Sequence, residues 1–337
     1  GNALWADAQA QVAAEKAAWP YAWLTTSDHP ANAARGTVTG RLLINDVLKP
    51  GLTGANANIG LAAPEDAAGN WQNQGKGYQY WTKADASGNF TIPAVRPGSY
   101  TLYAFTDGAV GEYSRAAVTV TAGGTTALGN QTWTVPRVGA SLAWEIGTED
   151  RTAKEFKHGT DYFTPYLWDV YPGELANPLT FNIGTDDPAT SFNYVHSGYP
   201  TVTSGGTTRG TWEWKLNFNL ASLAPSGQAR FTVAVASSNY ARLYLRINED
   251  ATDFTRISPT ENGGNALLRQ GIHAKYSVVQ VSIPVSKLRL GSNTFTLRQN
   301  VSTSDAHVMY DYLALEMPAI PPPPPSSGRS LAGNGGS

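Results

Sequence analysis

The run SLAWEIGTEDRTAKEFKHG, Ser141 to Gly159, gathers acids, an arginine, two lysines and a histidine directly behind an apolar stretch. Lys154, Lys157 and His158 are the residue types that supply a cation and a general base. Neighbours on one short turn point in different directions, so chemistry there needs a partner from elsewhere, and the run reads better as the edge of a binding domain. A second dense loop, GTDDPATSFNYVHSGYP, spans Gly184 to Pro200. Asp186-Asp187-Pro188 opens it as an Asx turn, and Tyr194, His196 and Tyr199 offer the faces and donors on which a sugar ring can sit. A lone histidine in such a place is more often structural. Trp168, in TPYLWDVYP, falls in a loop and joins the saccharide candidates, whereas Trp212 and Trp214 alternate along one strand face and belong to a core. Arg269 and His273, in LLRQGIHAKY, suit the carboxylate of a uronic acid, because a guanidinium grips carboxylate bidentately; a solvated edge is the plain alternative.

These residues need elements to hold them. At 337 residues the chain is longer than one core usually organises, so two domains are expected. A net charge of -2 and the lack of any long basic run speak against nucleic acid or an anionic membrane as partner. No stretch has the apolar length of a membrane span, and the first residues lack a signal-peptide pattern, so the chain reads as soluble and as either mature or a fragment. With no cysteine there is no disulfide and no thiolate chemistry. Asn89, Asn130 and Asn300 each begin an Asn-X-Ser/Thr triplet that can take a glycan in a secretory pathway. Ten tryptophans, sixteen tyrosines and 15% charged residues fit an extracellular β-protein with aromatic surfaces, although most of those rings are expected in cores.

Residues 2–18 alone carry a helical pattern, with Leu4, Ala8 and Val12 along one stripe and Pro20 as the stop. From Gly36 the period becomes two. GTVTGRLLI, NIGLA, YQYWTKA, GNFTIPAV, GSYTLYAFT and AAVTVTAG, with turn residues between them, predict an antiparallel sandwich over 36–137, after an extended segment that completes residues 1–35. Alternation assigns Tyr78, Tyr80, Trp81, Tyr100 and Tyr103 to packing. LTFNIG, TWEWKLNFNL, ARFTVAVASS, ARLYLRIN, YSVVQVSIP, NTFTLRQN and HVMYDYLALEM predict a jelly roll over 138–318. The tail, 319–337, is rich in Pro, Gly and Ser and cannot form a core.

The helix with WPYAWL, then RGTVTGRLL, DASGNFTIPAVRPGSYTLYAF, LAWEIGTEDRTAKEFKHG, TFNIGTDDPATSFNY and MYDYLALE, in that order, resembles the rhamnogalacturonan lyases of polysaccharide lyase family 4. The resemblance implies an all-β chain, a fibronectin-III-like sandwich followed by a galactose-binding-like jelly roll, and a short N-terminal helix. It also implies that the catalytic sandwich, with the Lys and His that transfer protons in β-elimination, lies outside this sequence, so no catalytic residue is expected here. It makes Ala140–Ile146 the first jelly-roll strand and Gly147–Gly159 a loop at its edge. Glu145, Asp150 and Asp311 then become candidates for a structural Ca2+, since carboxylates from first and last strands can share one end and calcium takes several oxygens; ordinary ion pairs and turn bonds are the alternative. Three functional readings follow: an extracellular or wall-associated carbohydrate-binding region for pectic polysaccharide, a portion of a complete lyase, or a self-associating matrix component that reuses both domains.

Overall fold

The computed structural model describes residues 2–67, 69–74, 78–161, 173–204, 206–260, 275–300 and 306–322. Helix α1, Asn2–Ala18, forms where the 3.6-residue period predicts it, and none of its residues is buried. After it, strands joined by turns and loops dominate the regular structure of the described residues.

Seven strands make the first sandwich: β1 (Gly36–Asn45), β2 (Asn58–Ala62), β3 (Gln79–Lys83), β4 (Asn89–Val95), β5 (Gly98–Phe105), β6 (Tyr113–Val120) and β7 (Thr125–Thr134). One sheet runs β4-β1-β7 and the other β3-β2-β5-β6. Their inner faces follow the alternation of the sequence: Phe90, Ile92 and Val95 of β4 are buried while Asn89, Thr91 and Pro93 are exposed. Strand β7 was not expected from the pattern. It pairs in parallel with β1, which is remote in sequence, and its register slips between Thr39 and Arg41 of β1.

The second sandwich begins with β8 (Ser141–Gly147) and β9 (Leu179–Asn182), followed by a one-turn helix α2 (Pro188–Ser191) and β10 (Val195–Ser197). A hairpin, β11 (Pro200–Thr203) and β12 (Gly206–Arg209), leads to β13 (Trp212–Leu220), β14 (Gln228–Asn239), β15 (Leu243–Ile247), β16 (Thr255–Ile257), β17 (Ser277–Pro284), β18 (Gly291–Gln299) and β19 (His307–Met317). One sheet is ordered β10-β19-β14-β17, with β8 also on β19, and the other β16-β15-β18-β13-β9. Trp144, Trp214, Phe181, Phe192, Phe231 and Phe295 fill the space between them.

The two sandwiches share a face. Along β19, Leu313, Leu315 and Met317 point into the jelly-roll core, while the alternate Tyr312 and Ala314 join the core of the first sandwich. A strand buried on both sides loses the apolar–polar alternation, and in MYDYLALEM even the two acids, Asp311 and Glu316, are buried. At this junction Arg137 forks onto Asp46, with Nε donating to Oδ1 at 3.0 Å and Nη2 to Oδ2 at 2.7 Å, and its Nη1 donates to Glu316 Oε1 at 3.1 Å. All three side chains are at most 2% exposed. Glu316 Oε2 also accepts from the amides of Val138 and Gly139, which fixes the linker.

Candidate functional site

The charged run after β8 is tied down by ion pairs, some to the first sandwich and more within the second domain. Lys49 Nζ sits 2.8 Å from Glu145 and 3.1 Å from Glu149. Burial pushes the Glu149 carboxyl up, against the pull of Lys49. Arg151 donates to Glu112 at 3.0 Å, and its guanidinium lies 3.8 Å from the Phe105 ring and 4.5 Å from the Tyr276 ring. Lys154 pairs with Asp150, Lys157 with Glu174, and His158 with both Asp161 and Glu174. Lys154, Lys157 and His158, the residue types for base and electrophile, form ion pairs that hold the loop, while Lys49 and Arg151 tie the run to the first sandwich.

The three carboxylates offered as calcium ligands do not converge. Glu145 accepts from Lys49 and from the Tyr312 hydroxyl at 2.8 Å, whereas Asp311 accepts from the Asp150 amide at 3.2 Å. Asp150 turns its own oxygens to Thr152 and Lys154. Among the described residues no group of three or more His, Cys, Asp or Glu side chains is placed to hold a metal ion.

The saccharide candidates of the second loop are also corrected. Tyr194, His196 and Tyr199 are all buried, so none presents a face to a ligand. The reason is β10: Val195–Ser197 adds to β19 opposite His307–Met309, which draws the flanking rings into the core. His196 stacks on Trp214 with centroids 4.2 Å apart. Its Nε2 donates to the Trp212 carbonyl at 3.0 Å, so Nδ1 accepts from the Tyr310 hydroxyl at 3.0 Å. Burial drives its pKa down to about 3, a neutral structural imidazole. The Tyr199 hydroxyl donates to the Val195 carbonyl at 2.7 Å. Asp187 takes its expected turn role, accepting from the Ala189 amide at 2.9 Å and capping α2. Trp168, Arg269 and His273 lie outside the described residues. Of the glycan candidates, Asn89, Asn130 and Asn300 are exposed; Asn89 donates to Asp85, and the Val301 and Ser302 that complete the third triplet lie outside the described residues.

Among the concavities of the described surface, two bear on binding. One, about 350 Å³, lies between the domains beside Arg151, Glu112, Glu65, Lys275 and Tyr276. The other, about 950 Å³, lies along the edge strand β3 and is lined by Trp19, Tyr78, Tyr80, Trp81, Arg35 and Lys83 among others. Tyr80, Tyr100 and Tyr103 pack as alternation predicts, but Tyr78 and Trp81 remain 42% and 37% exposed. Sequence reasoning passed over both. The signal available was the polar flank QNQGKG before YQYWTK, which marks β3 as an edge whose outward residues, Trp81 and Lys83, have no second layer to cover them.

Comparison with known proteins gives the following. Residues 142–315 match a family model described as CBM-like, polysaccharide lyase family 4, domain III, and residues 54–128 match one described as polysaccharide lyase family 4, domain II. A probable rhamnogalacturonate lyase B of Neosartorya fischeri is 30% identical over 281 residues, covering 71% of this chain and 42% of that protein. The rhamnogalacturonate lyase of Dickeya dadantii is 27% identical over 321 residues, covering 93% of this chain and 49% of that protein. The chain therefore spans less than half the length of these relatives. Among solved structures, a family 35 carbohydrate binding module from Clostridium thermocellum aligns over 36% of this chain and 90% of its own, at 13% identity and a TM-score of 0.23.

Proposed function

Because the chain belongs to polysaccharide lyase family 4 and carries its domains II and III, we propose that it is the polysaccharide-binding ancillary region of a rhamnogalacturonan lyase-like protein that acts on pectic material outside the cell. The observation that carries this reading is the match of the whole second sandwich, residues 142–315, to the CBM-like domain of that family. The β-elimination itself belongs to a further domain. Removal of the proton next to a uronate carboxylate needs a free base beside cations that stabilise the resulting anion. The charged run at Lys154–His158 supplies neither, since its cations and histidine are paired with Asp150, Asp161 and Glu174. The coverage of the relatives, 42% and 49%, favours a second and compatible reading, in which this chain is part of a complete lyase.

The full chain, run by affinity electrophoresis through gels containing rhamnogalacturonan, is expected to be retarded relative to gels without polysaccharide. Affinity per site is expected to be weak, with an aromatic stack contributing roughly 1–3 kcal/mol on the scale of stacked bases. The same chain incubated with the polymer is expected to release no unsaturated uronate, followed by its ultraviolet absorbance. Unchanged mobility would remove the binding role, and robust product formation would place catalysis within these residues.

A further inference from the structure

The first sandwich has a surface that nothing in its packing explains. We propose that the groove along β3, between Trp81 and Trp19, binds an acidic, uronate-bearing oligosaccharide. This is a site separate from the jelly roll.

Its platform is built rather than incidental. The Trp81 indole lies over Gly60 of the neighbouring strand, where a Cβ would fall 2.4 Å from the ring, so only glycine lets the ring settle on the sheet. Trp71 meets it edge-on at 4.7 Å, Phe105 packs at 5.7 Å, and its Nε1 donates to Gln79 Oε1 at 3.0 Å. With these contacts made, Trp81 is still 37% exposed. Tyr78 is fixed in the same way, with the Arg96 guanidinium 4.2 Å from its ring and its hydroxyl donating to the Asp28 carbonyl at 2.6 Å. Rings immobilised before a ligand arrives lose little entropy on binding it.

The charge around the platform is of one sign. Lys16, Arg35 and Lys83 line the groove and no carboxylate does, in a chain whose net charge is -2. Arg35 is buried and donates to the carbonyls of Pro30 at 2.9 Å and Ala94 at 3.1 Å, partners that do not cancel its charge. It also lies 3.3 Å from His29 Nδ1, which must accept, so the hydrogen of His29 sits on Nε2; that atom lines no bond within the protein. Beyond Trp19 the groove continues into a second hollow of about 570 Å³ that shares Lys16, Trp19, Arg35 and Pro93 with it. Partly exposed aromatic rings with cations and no acids, along an extended track, fit a chain of sugar rings that bears carboxylates. Three cations without a longer basic stripe are too few for a nucleic-acid backbone.

The test is titration of the full chain with oligogalacturonate, and with the same oligosaccharide after its carboxyl groups are reduced to alcohols, followed by calorimetry and by the indole N–H resonances of the tryptophans. The acidic oligosaccharide is expected to shift the Trp19 and Trp81 resonances. Trp81→Ala and the surface substitution Lys83→Glu are each expected to weaken binding by about tenfold or more, as is carboxyl reduction. Unchanged melting of Lys83→Glu would show that its loss is not a folding defect. Binding of undiminished affinity in both variants, or of the reduced oligosaccharide as tightly as the acidic one, would overturn the groove while leaving the jelly-roll reading intact. Self-association without saccharide that disappears in Trp81→Ala would likewise overturn it, by assigning the groove to a second copy of the chain. Shifts confined to the groove indoles would uphold it even if the jelly roll bound nothing.

Discussion

Arg137→Met is expected to cost about 3–5 kcal/mol of folding stability, because it strands two buried carboxylates without a counter-charge. Asp46 shows what the arginine does: burial alone would raise its pKa, yet the bonds from Arg137 and from the Leu48 and Lys49 amides hold it below the usual carboxylate range. Burial works against the guanidinium as well, and the bonds from Asp46 and Glu316 outweigh it to raise the Arg137 pKa. Removing the cation leaves Glu316 bonded only to the Val138 and Gly139 amides and Asp46 only to its own turn. The triad sits where the linker leaves the first sandwich, so the same change is expected to split one calorimetric transition into two as the domains uncouple. Asp46→Leu, Arg137→Met and Glu316→Met together are expected to recover most of the loss, since apolar groups of similar volume need no counter-charge. A single variant that melts like the parent would show that the junction is held without the triad, by the Tyr312 and Ala314 packing and the Lys49 and Arg151 pairs.

Asp311→Asn is expected to stabilise the chain at neutral pH, on the order of 2–4 kcal/mol. The Asp311 side chain is buried, its Oδ2 has no partner, and burial, with the charges of Asp150 and Glu149 adding to it, pushes its pKa to about 8 despite the bond from the Asp150 amide. The unfolded chain releases this proton near pH ~4. Between there and about pH 8 the folded state holds one proton that the unfolded state lacks, so stability falls as pH rises, by about 1.4 kcal/mol per unit. Asparagine is neutral throughout and abolishes that fall.

His196 has the opposite sign. Its folded pKa of about 3 lies below the unfolded value, which is near ~6.5. Stability from this group is present above pH ~6.5 and is lost as pH falls from there. The two slopes oppose each other between about pH 4 and 6.5, leaving Asp311 alone above that window. Denaturant unfolding from pH 4 to 9, a range of order set by these groups, should therefore show the parent weakening on the alkaline side. The variant should lose that weakening and instead gain stability from about pH 4 to 6.5. Parallel curves for the two chains would mean that Asp311 ionises normally.

The strands that sequence periodicity located are those whose two faces meet different surroundings. TWEWKLNFNL alternates buried Trp212, Trp214, Leu216 and Phe218 with less buried polar residues, and β13 forms on that register. Strand β7 was invisible because its support is a parallel partner, β1, and because its own burial is slight outside Gln131 and Trp133. The loop Tyr194–Tyr199 misled for a related reason. Its rings and histidine have the composition of a sugar site, but composition carries no record of β10 joining β19 and closing them inside.

What the sequence by itself determined is local: a helix up to Pro20, two successive all-β domains, the turn made by Asp187, and the family to which the ordered motifs belong. What only the tertiary structure decided is which faces acquire a second layer. Tyr312 and Ala314 became an interdomain core and Glu145 became a partner of Lys49, while Trp81 and Tyr78 stayed partly exposed at the edge of β3. Alternation fixes which side of a strand a residue occupies, but whether that side meets water or another sheet depends on chain segments far away in sequence, so burial, and with it binding competence, is set by the assembled fold.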